Sequence, residues 1–251
     1  MSAGHGTPMN ATRQATITIN NHSFPLRYPD TPAMRKVVSE VFARGEYPQL
    51  PFLEPRGKTI LDIGANIGCS TVWFRAIYPG AVILACEPAR DSFALLQTNA
   101  GSLEDVRVFP CGLYDRDCTT KLFHGVESGV TNSVGHSSHN TAEFEVVSLR
   151  RASSFLAEQG VARIALLKLD TEGAEMPILR DLAHLLDRVE AIALEYHAER
   201  DRLEIDRLLS SRFLLYQGRI QFPHRGTLVY AAKEVIAART QLNRFEISLT
   251  E

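Results

Sequence analysis

The stretch Thr59-Ile60-Leu61-Asp62-Ile63-Gly64-Ala65-Asn66-Ile67-Gly68 decides the fold. Its mainly apolar first half predicts a buried strand that ends in a turn with two glycines. The next residues, Cys69-Ser70-Thr71-Val72-Trp73-Phe74, predict a helix. A strand, a tight turn and a helix N-terminus leave backbone N–H groups facing a crevice. The stretch therefore favours a nucleotide-like ligand with an anionic end.

Further apolar runs along the chain alternate with segments of helical spacing. We predict additional strands at 81–86, 106–113, 164–170, 191–194, 213–216 and 227–232, and helices at 90–99, 151–159 and 201–210. This alternation predicts a doubly wound α/β fold with a seven-stranded, mostly parallel sheet. The short 221–226 connection predicts that the last strand runs antiparallel to its neighbour.

An N-terminal extension precedes the central strand. Thr16–Ile19 and Phe24–Tyr28 predict a small hairpin, and Thr31-Pro32 begins a predicted helix. We therefore divide the chain into an extension, residues 1–54, that forms a lid or side wall, and a main domain, residues 55–251.

A second candidate lid lies within the main domain. Lys121–His124 and Phe144–Leu149 predict a pair of strands, which leaves residues 125–140 as a long connection. Connections of this length inside compact domains are often functional. We expect this one to cover the crevice.

Charge and composition exclude several classes of protein. The net charge is -2 and no run of lysine or arginine occurs, so we expect no nucleic-acid partner. No segment approaches the roughly 18 consecutive apolar residues of a membrane span, and the polar start resembles no signal peptide. We therefore predict a cytoplasmic protein that does not bind membranes. Its oligomeric state stays open, with a homodimer as one option.

The four cysteines show no C-x-x-C spacing. Three of them, Cys69, Cys86 and Cys111, fall in or beside predicted buried elements. We therefore expect reduced thiols and neither zinc nor disulfides.

Polar side chains follow four predicted strands. They are Asp62 to Gly68, Glu87, Asp170 with Glu172, and Glu195 with His197. In open α/β sheets the carboxyl ends of the strands form the ligand-binding edge, so these side chains predict a shared site. Each residue also has a structural explanation. Asp62 could order its own turn, Glu172 and Glu175 could stabilise a helix N-terminus, and His197 could be a hydrogen-bonded rim residue.

The glycine spacing distinguishes between cofactors. Gly64-x-x-x-Gly68 lacks the G-x-G-x-x-G pattern of dinucleotide sites, and no phosphate-binding G-x-x-x-x-G-K-[ST] occurs. A ligand with adenosine and an amino acid tail would still suit the turn. Its carboxylate would face the helix start, and its ribose hydroxyls would bind Glu87.

These motifs, together with Leu167-Lys168-Leu169-Asp170-Thr171-Glu172-Gly173-Ala174-Glu175 and Glu195-Tyr196-His197, resemble the FkbM family of S-adenosylmethionine-dependent methyltransferases. The resemblance spans about residues 55–200 and implies the Rossmann-like methyltransferase fold. It implies S-adenosyl-L-methionine as cofactor, with Asp62, Gly64, Asn66, Gly68 and Glu87 around it and Asp170 near its methionine end. We also expect cofactor contacts from Ala65, Ser70, Pro88, Cys111 and Gly112.

The resemblance further implies methylation of a hydroxyl on a small molecule, a sugar or a natural product. One departure concerns the acceptor side, because Ser148-Leu149-Arg150-Arg151 stands where the family often has Thr-Leu-Asp-Asp. We expect this change to alter the surface near the acceptor.

A hydroxyl acceptor must lose a proton during transfer, so we expect a general base in the site. His197 is the first choice because its ordinary pKa lies near neutrality. Glu172 and Glu195 are rivals, as are His136 and His139 on the long connection. Asp170, Glu172 and Glu195 could alternatively hold Mg²⁺, although we predict no metal.

Two other functions fit the same residues less well. A dehydrogenase using NAD is disfavoured by the missing third glycine. A catalytically idle adenosine-binding module that acts through partners also stays open.

Overall fold

The computed structural model describes residues 11–125, 140–222 and 224–239. The strands are β1 Thr12–Ile19, β2 His22–Pro29, β3 Thr59–Ile63, β4 Val82–Cys86, β5 Val106–Phe109, β6 Gly112–Tyr114, β7 Cys118–Gly125, β8 Asn140–Arg151, β9 Ile164–Leu169, β10 Val189–Tyr196, β11 Phe213–Phe222 and β12 Arg225–Ala232. The α-helices are α1 Pro32–Ala43, α2 Cys69–Ile77, α3 Arg90–Ala100, α4 Ala152–Glu158, α5 Glu175–Asp181, α6 Glu199–Leu209 and α7 Lys233–Arg239, with a 3₁₀ helix at Ala183–Arg188.

The main sheet has seven strands in the order β11-β12-β10-β9-β3-β4-β5. Strands β5, β4, β3, β9 and β10 pair in parallel, whereas β12 pairs antiparallel with both β10 and β11. The predicted mostly parallel sheet with an antiparallel last strand is therefore confirmed. The chain order reverses between β3 and β9, and a ligand crevice forms at such a point.

Helices cover both faces of this sheet, as its apolar strands require. On one face Phe155 of α4, Ile178 of α5 and Ile205 of α6 are fully buried in a single core. On the other, Met34 of α1 and Phe74 of α2 are fully buried in a second core. The fold is thus doubly wound.

The predicted N-terminal hairpin and helix are present and pack on the second core. The buried Asn99 of α3 fixes the hairpin, because its amide nitrogen donates to the Arg27 carbonyl at 2.9 Å and its amide oxygen accepts from the Arg27 N–H at 2.8 Å. The same nitrogen donates to the Ile67 carbonyl at 2.7 Å. The extension is therefore joined directly to the turn that follows β3.

The predicted strand 106–113 is wrong in one respect, because it is two strands in two sheets. β5 ends at Phe109, and the Cys111 N–H donates to the Phe109 carbonyl at 2.9 Å, which closes a tight turn around Pro110. Since proline has no N–H to donate, pairing stops there. β6 then joins β8 in a three-stranded sheet with order β6-β8-β7.

The predicted pairing of Lys121–His124 with Phe144–Leu149 is confirmed in the antiparallel β7–β8 register. Most of the connection between these strands, with His136 and His139, lies outside the described residues. All four cysteines are free thiols, and three are buried. Among the described helices, none has the length and apolar character needed to cross a bilayer.

Candidate active site

The glycine turn after β3 brings three strand ends into contact. Gly64 has a φ of 76°, and the N–H groups of Gly64 and Ala65 both donate to the Cys86 carbonyl at 3.0 Å. A Cβ atom on Gly64 would lie 1.9 Å from the backbone oxygen of Asp170. Only glycine fits, since other residues combine a strained φ with a collision.

Below this turn lies a buried ion pair. Asp62 has no exposed surface, and its Oδ2 accepts hydrogen bonds from Ser70 at 2.8 Å and Thr71 at 2.7 Å. Its Oδ1 lies 3.2 Å from Nζ of Lys168, which is 1% exposed and donates to the Gly64 carbonyl at 2.6 Å. Asp62 therefore anchors the turn and the first turn of α2.

Burial alone would lower the pKa of Lys168, but the nearby charges of Asp62 and Asp170 outweigh it and raise that pKa. The amine therefore keeps its charge, and the glycine turn rests on a charged support.

A first cleft opens beside Glu87. It encloses about 700 Å³, including its open mouth, and its lining includes Gly64, Asn66, Glu87, Pro88, Gly112, Leu113, Leu122, Leu149, Asp170 and Glu172. Polar groups of the turn face an apolar wall of three leucines.

Glu87 is 7% exposed and held by backbone groups. Its Oε2 accepts from the Asn66 N–H and its Oε1 from the Ala89 N–H, both at 2.9 Å. Burial raises the pKa of Glu87 to about 7, although both hydrogen bonds act against the shift. Each carboxylate oxygen can accept a second hydrogen bond. The side chain can thus bind two adjacent hydroxyls.

A second cleft meets the first at Gly64, Asn66, Asp170 and Glu172. It encloses about 990 Å³, and its walls come from α1, from Glu46-Tyr47 and from the β11–β12 hairpin. Ala65 and Ser70 lie on this side, whereas Asp62, Gly68 and Cys111 line neither cleft. The two clefts share a floor at the carboxyl ends of β3 and β9.

Four predicted side chains converge on this floor. Each of Asp170, Glu172, Glu195 and His197 offers one side-chain oxygen or nitrogen that could bind a metal, and these four atoms all lie within 4.8 Å of one another. The Arg225 guanidinium donates to Glu195 at 2.5 Å and to Glu172 at 3.1 Å. Arginine thus satisfies two of the three carboxylates, so the cluster fits an ion-pair network. The absence of a metal stays a prediction.

His197 lies inside this network. Its Nε2 is 3.0 Å from Glu172 Oε2 and 3.6 Å from Glu195 Oε2. Burial would lower the pKa of His197, but Glu172 and the neighbouring carboxylates raise it to about 9. A protonated imidazole cannot accept a proton near neutral pH. The neighbouring carboxylates therefore favour a protonated His197, and its role as the general base stays a prediction.

The raised pKa of His197 predicts a pH-dependent stability. A histidine whose pKa is higher in the folded state stabilises the fold below its unfolded value near 6.5 and loses that contribution as the pH rises through about 9. We expect the free energy of unfolding of the wild type to fall across this window by on the order of 1 to 3 kcal/mol. The free energy of unfolding of His197→Gln should fall by less. Urea titrations at pH 6 and pH 9 measure the difference.

Exposed His184 provides the control, since His184→Gln should follow the wild type at both pH values. Equal losses in wild type and His197→Gln would contradict the ion-pair assignment.

Arg150 and Arg151, the two arginines of the departure from the family pattern, pair with acids outside the two clefts. Arg150 bonds Glu158 at 2.5 Å and Arg151 bonds Asp181 at 2.7 Å. They tie β8 to α4 and α5 and line neither cleft.

Sequence reasoning missed Tyr47, Lys168 and Arg225. Tyr47 donates its hydroxyl to Asp170 Oδ2 at 3.2 Å. Burial would raise the pKa of Asp170, but Lys168 and His197 lower it, so Asp170 carries a negative charge between the two clefts. A lysine inside an otherwise apolar strand was the signal for Lys168, whereas Tyr47 and Arg225 carried none.

Comparisons with known proteins agree with this geometry. The family model described as "Methyltransferase FkbM domain" matches residues 62–217, more than half of the chain. "Methyltransferase 1" from Beauveria bassiana is 33% identical over 165 residues, which cover 57% of this chain and 65% of that protein. The match thus spans slightly less than two thirds of that relative.

A second relative, "31-O-demethyl-FK506 methyltransferase FkbM" from Streptomyces tacrolimicus, is 26% identical over 218 residues, covering 75% of this chain and 79% of that protein. Among solved structures, Aeropyrum pernix fibrillarin with bound S-adenosyl-L-methionine is 13% identical, with a TM-score of 0.50 over 87% of this chain and 82% of that chain. This structural likeness supports the fold.

Proposed function

The chain belongs to the FkbM methyltransferase domain family, and from this premise we propose that it transfers a methyl group from S-adenosyl-L-methionine to a hydroxyl of a small molecule. The observation that carries this proposal is the position of Glu87, at the end of β4 and on the wall of the first cleft.

Three features of the first cleft suit the ribose, the adenine and the amino acid tail of this cofactor. Glu87 has an unused acceptor site on each carboxylate oxygen, which suits the two ribose hydroxyls. The apolar wall of Leu113, Leu122 and Leu149 suits the adenine ring. The glycine turn at the start of α2 suits the carboxylate of the amino acid tail.

When bound, the cofactor supplies an electrophilic methyl group on a positively charged sulfur. Asp170 carries a negative charge where the clefts meet, and this charge favours a cationic centre there. Tyr47 fixes the carboxylate of Asp170 through its hydroxyl. The protein thus contributes positioning and electrostatic stabilisation, which are large terms in transfer reactions.

The second cleft is the candidate acceptor site. Its lining mixes carboxylates with Lys36, Lys168 and Arg225, so it offers both donors and acceptors to a polar molecule. The Streptomyces relative is named for methylation at an oxygen of FK506. A small-molecule hydroxyl acceptor is the substrate class that these features favour.

Replacing Glu87 tests the cofactor assignment. We expect Glu87→Gln to weaken S-adenosyl-L-methionine binding about 10- to 100-fold, because hydrogen bonds to a charged acceptor are stronger than those to an amide. Calorimetry on the purified protein measures this change, with NAD titrated in parallel and expected not to bind.

Glu104→Gln is the matched control, because Glu104 is exposed and lines neither cleft. An unchanged dissociation constant for Glu87→Gln would contradict the ribose assignment, and NAD binding would favour an oxidoreductase. Release of S-adenosylhomocysteine with a hydroxylated small-molecule extract distinguishes an enzyme from an idle binding module.

A further inference from the structure

Glu46 lies outside the family match and still lines the second cleft. It follows α1, where Gly45 adopts a φ of 67° and turns the chain back. The Glu46 N–H then donates to the Glu40 carbonyl at 3.1 Å. Because Gly45 has no side chain, this left-handed turn carries little strain. The turn aims the segment at the carboxyl ends of β3 and β9.

Tyr47 anchors this segment at three points. Its carbonyl accepts from the Trp73 indole at 2.7 Å, and its hydroxyl donates to Asp170 at 3.2 Å. The Tyr47 ring packs against Phe74, with 5.5 Å between the ring centroids. Glu46 is therefore attached to a residue that is fixed to both α2 and the end of β9.

The carboxylate of Glu46 differs from the other acids of the site. Within the described residues it makes no hydrogen bond or ion pair, whereas Glu172 and Glu195 both bind Arg225. Asp170 accepts from Tyr47. Within the part of the chain that the structure describes, both carboxylate oxygens of Glu46 are therefore available to accept a hydrogen bond in the second cleft.

Charged groups from several elements face Glu46. Those with the strongest influence are Asp170 and Lys168 of the β9 segment, Glu40 of α1 and Arg219 of β11. The cleft also contains Lys36, Glu172, Glu195 and Arg225. Burial, followed by Asp170 and Glu40, raises the pKa of Glu46 to about 7, against the opposite effect of Lys168 and Arg219. A base with such a pKa is suited to neutral pH.

We propose that the Glu46 carboxylate accepts the proton of the acceptor hydroxyl during methyl transfer, an inference that rests on the proposed function. The acceptor O–H bond breaks and its proton moves to Glu46. The acceptor oxygen forms the new bond to the methyl carbon, and the carbon–sulfur bond breaks with its electron pair left on sulfur. The products are the methyl ether, neutral S-adenosylhomocysteine and protonated Glu46.

This assignment gives the N-terminal extension a role in the reaction. The base then comes from the extension, whereas the cofactor site comes from the sheet. Acceptor and base would thus meet on the wall of the second cleft that lies outside the family match.

An acceptor-free experiment tests the position of Glu46. An ionised carboxylate near the methyl group favours the positively charged S-adenosyl-L-methionine over the neutral S-adenosylhomocysteine. We expect the ratio of their affinities, measured by calorimetry, to shift about 3- to 10-fold toward S-adenosyl-L-methionine between pH 6 and pH 8. Glu46→Gln should abolish this shift, and Glu104→Gln should retain it.

Two further readouts accompany the affinities. In carbon-13 NMR of glutamate-labelled protein, one carboxyl signal that titrates near pH 7 in the wild type should be missing from the spectrum of Glu46→Gln. In the S-adenosylhomocysteine-release assay with the hydroxylated extract, Glu46→Gln should lose on the order of 10²-fold in rate. Its S-adenosyl-L-methionine affinity at pH 6 should stay within about twofold of the wild type.

The outcomes separate the two proposals. If the cofactor binds but the ratio of the two affinities does not change with pH, or if Glu46→Gln turns over at the full rate, the role of Glu46 is overturned and the proposed function is not. Absence of S-adenosyl-L-methionine binding at every pH, or absence of turnover in the wild type, would overturn the proposed function and this inference with it.

Discussion

Gly64→Ala is expected to destabilise the protein by more than about 4 kcal/mol and to abolish cofactor binding. The left-handed φ of 76° costs an alanine about 1 to 2 kcal/mol. The added Cβ would also lie 1.9 Å from the backbone oxygen of Asp170, and a backbone atom cannot rotate away. The ends of β3 and β9 would have to separate, which would open the floor shared by the two clefts.

Gly57→Ala separates the two contributions. Gly57 has a similar φ of 71°, but no atom lies within 4 Å of its added Cβ. We expect a loss of only about 1 to 2 kcal/mol in this variant. Urea unfolding followed by circular dichroism measures both variants. Equal losses at the two positions would mean that φ strain, and not the contact with Asp170, makes glycine necessary at residue 64.

The main sheet could be predicted from the sequence because each strand has a recognisable local pattern of apolar residues. Continuous apolar runs such as Val82–Cys86 and Ile164–Leu169 are typical of parallel strands covered on both faces. The same pattern led to the wrong prediction of a single strand at 106–113, because the apolar residues continue past Pro110 into a strand of a different sheet. Hydrophobic pattern identifies a strand but does not say which sheet it joins.

The site was predictable to the level of its edge, but not to the direction of each side chain. Asp62 and Glu87 both follow the pattern of a strand-end acid. Asp62 lies beside Lys168 in the β3–β9 register and is sealed beneath the turn, whereas Glu87 faces the first cleft. The register joins residues more than a hundred positions apart, so no local pattern contains it.

Arg225 is a second residue whose place in the site no local sequence pattern predicts. It begins β12, the strand that runs antiparallel to its neighbours, so its start lies at the edge where the parallel strands end. There it bonds Glu195 and Glu172. The hairpin was predicted, but the pairing of this arginine with acids from two other segments depends on tertiary structure alone.

Lys168→Met is the second substitution with a large expected effect, a loss of about 3 to 5 kcal/mol. Methionine fills a similar volume but removes the charge that lies 3.2 Å from the fully buried Asp62. It also removes the donor to the Gly64 carbonyl at 2.6 Å. Burial of an unpaired carboxylate is the main cost, because the charge has no water to stabilise it.

A double variant identifies that cost. Asp62→Asn with Lys168→Met removes both charges, and an asparagine oxygen can still accept from Ser70 and Thr71. We expect the double variant to be more stable than Lys168→Met alone, since removal of a buried pair costs less than leaving one charge unpaired. Lys36→Met, on the exposed surface of α1, should change the free energy of unfolding by at most about 0.5 kcal/mol. A double variant no more stable than Lys168→Met would show that the lost hydrogen bond to Gly64, and not the charge of Asp62, dominates.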